Sequence, residues 1–96
     1  MKEFADFGQL MTRFTELSNK RAALLFDIEE KQDEITSIND VISRMKSEQH
    51  NNKKDIMAKA RDKKRYLKGE MRHLHKQRRI IETELDTIRM TVQWSN

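Results

Sequence analysis

Glu70 and His73 stand in the Glu-x-x-His spacing that di-iron helical bundles turn inward to hold metal. That chemistry also needs carboxylates from the facing helix, and the register derived below sets Ile28 and Lys31 there instead. His75 adds nothing to such a site, because two residues apart on a helix the rings of His73 and His75 point about 160° away from each other. No metal and no cofactor are expected. Nucleophilic chemistry is equally unsupported: Ser18, Ser37, Ser43, Ser47 and Ser95 have no histidine spaced to activate them, and the chain has no cysteine and no glycine-rich phosphate loop. The carboxylate pairs Glu29/Glu30 and Asp33/Glu34 suit a solvated helix face, so no catalytic residue is assigned and an enzyme is not expected.

Phosphate neutralisation is a chemistry for which the residues are present. From Lys53 to Arg79 the chain carries twelve Lys/Arg against Asp55, Asp62 and Glu70, a net of +9. Within that run Lys54, Arg61, Arg65, Lys68, Arg72 and Arg79 fall outside the helical seam and look outward, as contacts to a polyanion must. Sequence-specific reading would need this helix free to enter a major groove ahead of a zipper, and Ile81, Leu85, Ile88 and Val92 amount to under three heptads.

Apolar residues outside the seam are the third group. Phe4, Met11 and Leu25 recur at one heptad position with Phe26 beside them, and Tyr66, Ile80 and Trp94 recur at another with Met90 nearby. Most lie in the parts of the chain farthest from its middle. Such a wide apolar face suits self-association or docking of another protein, with Trp94, Phe26 and Tyr66 of the kind that anchors interfaces.

The elements that must position these groups are helical. Phe7, Leu10, Phe14, Leu17, Leu24, Ile28, Ile35, Ile38, Ile42 and Met45 alternate in steps of three and four, a heptad seam broken only by Arg21 and Lys31. The frame fails across Gln49–Asn52 and resumes one residue out of phase. Met57, Met71, Leu85 and Val92 then take one core position and Ala60, Leu67, Leu74, Ile81 and Ile88 the other, with Lys64 and Arg78 as polar exceptions. One continuous rod with a skip and an antiparallel hairpin both accommodate this break. The hairpin reading sets Met45 against Met57, Ile35 against Leu67, Leu17 against Leu85 and Leu10 against Val92, symmetric about Asn51. Charge favours it as well. Residues 1–49 hold seven Lys/Arg against ten Asp/Glu, and residues 50–96 hold thirteen against six, so folding back sets the acids Asp27 to Asp40 opposite the bases Lys54 to His75.

The expected fold is therefore all-α: a single helical-hairpin domain over residues 1–96, with helix 1 at about 3–49, a turn near His50–Asn52 and helix 2 at about 53–94, dimerising into a four-helix bundle. Asn tolerates the left-handed conformation a tight turn can need, and Asn52 with Asp55 suits the start of a helix. With 35% hydrophobic and 38% charged residues, no proline and two glycines, β architectures lack their turn residues. The longest apolar run, Ala22 to Phe26, is far short of a membrane span, and no targeting pattern marks the N-terminus, so a cytoplasmic location is expected. The expected function is a non-enzymatic protein–protein interaction module, an adaptor, chaperone-like clamp or inhibitor, whose partner is another protein or a second copy of itself; the alternative is nucleic-acid binding through residues 53–79. Neither a small-molecule substrate nor a membrane is expected as a partner.

Overall fold

The computed structural model describes residues 7–48 and 51–95, and two helices account for nearly all of them: α1, Phe7–Ser47, and α2, Lys53–Ser95. With no proline and only Gly8 and Gly69 as glycines, neither helix contains a residue that breaks its backbone ladder. No strand occurs among the described residues. The helices pack against each other antiparallel, which excludes the continuous rod. The second helix begins where expected and runs one residue further, to Ser95; the first ends at Ser47, and positions 3–6 and 49 of its expected span lie outside the described residues.

The reversal is built from local hydrogen bonds. The Glu48 N–H donates to the Arg44 carbonyl at 3.1 Å, and the Ser47 hydroxyl donates to the same carbonyl at 3.1 Å. Asn51 and Asn52 form the turn, whose third expected residue, His50, lies outside the described residues. The Asn52 carbonyl accepts the Ile56 N–H at 2.9 Å, opening α2, and Asp55 in its first turn answers the helix dipole. Lys53 Nζ reaches back to the Lys46 carbonyl at 3.2 Å, so a cation of the second helix satisfies a carbonyl at the C-terminal end of the first. No described residue has positive φ. The left-handed conformation anticipated for asparagine is therefore not used at Asn51 or Asn52, which removes any need for glycine there.

The chain divides into two compact units, residues 1–26 with 75–96, and residues 27–74. In the first, Leu17, Leu85 and Ile88 form a buried cluster against which Leu10, Phe14, Ile81 and Val92 pack, in the layers the heptads specify. Arg21, a polar intruder at a core position, donates to Glu82 at 2.8 Å, and Arg78 lies 3.6 Å from the same carboxylate. These pairs occur because a long side chain at the seam can bury its methylenes and still reach a flanking carboxylate. Phe7 departs from expectation: it sits at a core position yet is 57% exposed, because beyond Val92 the next seam position of α2 is Ser95 and offers no apolar partner. In the second unit Ile28, Ile35 and Leu67 are buried, and Lys31 meets Glu70 across the seam at 3.8 Å.

Candidate functional site

The interaction residues expected from sequence separate into exposed and tucked groups. Met11, Phe26, Ile80, Met90 and Trp94 of the first unit are exposed, Trp94 the most at 81%. Leu25 is only half-buried and not fully open, and Phe4 lies outside the described residues. Tyr66 is exposed and belongs to the second unit. Phe7 and Val41 are further exposed apolar side chains that sequence reasoning missed. The signal for Phe7 was available, since the seam opposite it ends in a serine.

Grooves run beside the seam among the described residues. In the first unit, Met11, Phe14, Ile88 and Val92 with Arg89 and Gln93 border an apolar groove of about 240 Å³, and the Arg89 guanidinium lies 5.5 Å over the Phe14 ring. A more polar groove of about 360 Å³ on the same side is lined by Ser18, Arg21, Glu82, Leu85, Asp86 and Arg89. There the hydrogen bond from Arg21 holds the Glu82 carboxyl below its ordinary value; partial burial opposes this, and the nearby positive charges of Arg78 and Arg21 reinforce it. In the second unit, Tyr66, Gly69 and His73 share a groove of about 550 Å³ with Asp27, Lys31, Glu70 and Leu74. Glu70, half of the Glu-x-x-His pair, is the carboxylate that Lys31 meets. Among the described residues no three His, Asp or Glu side chains gather closely enough to share a metal ion.

The basic residues are placed as expected, but their compensation is not. Lys54, Arg61, Arg65, Lys68 and Arg72 of the second unit are all exposed, as is Arg79 in the first. The anticipated pairing of the acidic stretch with the basic one does not take the form of ion pairs. Among the described residues the cross-helix pairs run the other way, from bases of α1 to acids of α2: Arg13 to Glu84 at 2.9 Å, Arg21 to Glu82, and Lys31 to Glu70. Heptad geometry explains the reversal. Lys54, Arg61 and Lys68 flank the seam on the side where α1 presents Lys46, Asn39 and Gln32, none of them acidic. Asp27, Glu29, Glu30, Asp33, Glu34 and Asp40 are exposed at other positions. The closest charge partner of Arg65 is Asp62 on its own helix, at 3.5 Å with both side chains mostly in solvent, a pairing worth a few tenths of a kcal/mol, roughly.

Compared with family models, with curated proteins and with solved structures, the chain matches none. No helix of the described residues is long and apolar enough to cross a membrane.

Proposed function

We propose that this protein is a non-enzymatic interaction module, an adaptor, clamp or inhibitor of the cytoplasm, that binds protein through the outer faces of its first unit. The observation that carries this reading is the exposure of Phe26, Ile80, Met90 and Trp94 on a helix pair whose seam is already filled by Leu17, Leu85 and Ile88. Side chains of this size left outside a complete seam supply the desolvated anchors that dominate interface energies. Helices are the natural complement to such faces, so the complex is a helical bundle, with a second hairpin as the simplest partner. The test is affinity capture by the tagged chain from cell extract, with and without nuclease. Trp94→Ala and Phe26→Ala are expected to abolish capture of a nuclease-resistant partner while leaving far-UV circular dichroism nearly unchanged; retained capture sinks the reading.

A second reading, nucleic-acid binding, is favoured by one specific observation: the outward bases of α2 have no acid of α1 within ion-pair distance among the described residues. Lys54, Arg61, Arg65, Lys68 and Arg72 thus keep their charge available to phosphates. A captured set that vanishes with nuclease, and is lost when Arg61, Arg65 and Arg72 are changed to glutamate, supports this reading over the first.

A further inference from the structure

Two exposed stripes of the first unit, one on each helix, carry no charge in a chain that is 38% charged. On α1 the stripe is Gly8, Thr12, Thr15, Asn19, Ala22 and Phe26; on α2 it is Ile80, Thr83, Thr87, Met90 and Trp94. Both advance in strict alternating steps of three and four, the period of a coiled-coil seam, yet neither is the seam of this hairpin.

The threonines make these faces less polar than their composition implies. Thr12 donates to the Gly8 carbonyl at 2.9 Å, Thr15 to Met11 at 3.0 Å, Thr83 to Arg79 at 3.0 Å and Thr87 to Thr83 at 3.0 Å. With every stripe hydroxyl proton spent on its own helix, a covering helix leaves no threonine donor orphaned and meets the threonine methyl groups.

The stripes also differ in relief. That of α1 is low, with glycine, alanine and threonines leading to a single large residue, Phe26. That of α2 is raised by Ile80, Met90 and Trp94. We infer that these faces are the two halves of one contact: the α2 stripe of one copy seats its large side chains on the small-residue stripe of α1 in a second copy, antiparallel, with Thr87 of one opposite Thr15 of the other. This rests on the interaction-module reading and names its partner as a second copy of the chain.

Two further observations favour a second copy as the occupant. The α2 stripe from Ile80 to Trp94, about 21 Å at 1.5 Å per residue, covers the α1 stripe from Ala22 to Gly8, with Phe26 one turn beyond. In this register Glu29, which continues the α1 stripe, stands opposite His73 and one helical turn from Lys76, which precedes the α2 stripe, so an acid and a base meet at that end of the contact.

The faces look away from the seam in opposite directions. The α1 stripe turns toward the side bearing Met11 and Arg89, the α2 stripe toward the side where Arg13 meets Glu84. One two-fold contact therefore leaves at least one of them open, whereas head-to-tail contacts repeated from copy to copy use both.

The head-to-tail arrangement has a diagnostic test by sedimentation of the 96-residue chain over a range of concentrations. The parent is expected to gain mass with concentration. Thr15→Arg, which blocks α1, and Thr87→Arg, which blocks α2, are each expected to be monomeric alone and to form a one-to-one dimer when mixed, because each retains the face the other has lost. Circular dichroism and melting of each variant check that arginine, a good helix former, leaves the hairpin intact. A parent that stays monomeric, a single variant that keeps the parental mass, or a mixture that stays monomeric overturns the inference. If capture of another protein through Trp94 persists alongside any of these results, the module reading survives; if capture fails as well, both fall.

Discussion

Gly69 stands exposed in the middle of α2. In the middle of a helix it costs about 1 kcal/mol relative to alanine, which invites the idea that something approaches closely there. Within the hairpin nothing does: a Cβ built at Gly69 meets no atom within 4 Å, and its φ is not positive. Gly69→Ala is therefore expected to stabilise the fold by about 1 kcal/mol, seen as a melting temperature higher by roughly 4 to 8 °C; an unchanged or lower value contradicts this account. Glu82 carries the pH dependence. Its carboxyl sits below the ordinary value of 4.5, with the Arg21 hydrogen bond as the largest cause. A lowered carboxylate contributes stability above its unfolded value and loses it as pH falls through its folded value. Glu82→Gln is thus expected to melt below the parent at neutral pH, with the gap closing as pH drops below 4.5; a gap constant with pH counts against it. Arg21 was legible as an intruder in the heptads, but its partner was not, because a long side chain reaches several flanking positions.

For the helices, period and capping carried most of the information. The heptads placed Leu10, Phe14, Leu17, Leu85, Ile88 and Val92 in the layers where they pack, and the loss of frame marked the reversal. Leu17 is the deepest of these residues, 1% exposed. Truncating it leaves a cavity that two helices close only in part, so Leu17→Ala is expected to cost about 2 to 5 kcal/mol in denaturant unfolding. A cost under about 1 kcal/mol would mean that the seam is not the core. Phe7 shows where the pattern misleads: a heptad position is buried only if the facing helix still has a side chain to cover it, and α2 has run out of apolar seam residues there.

For the molecule, the net charge of +4 conceals an uneven distribution that decides which polyanion experiment is informative. If five bases of α2 each displace a counterion, the logarithm of a duplex affinity falls with the logarithm of salt at a slope of about −4 to −5. Titration of labelled duplex at several salt concentrations measures it, and a slope near zero removes the nucleic-acid reading. Composition and heptad period alone settle that the chain is helical, where its frame breaks and which residues are offered to a seam, because those properties follow from spacing along one helix; that the chain reverses at the break is decided by the packing. They also make the outward bases visible. Which charges meet is decided only when the helices pack, since pairing depends on the side of the seam that each flanking position occupies, and that turns an expected acid-to-base match into the pairs Arg13–Glu84, Arg21–Glu82 and Lys31–Glu70. The two uncharged stripes belong to the same class: their residues stand in the sequence, but only the packed pair shows both left exposed and facing opposite ways.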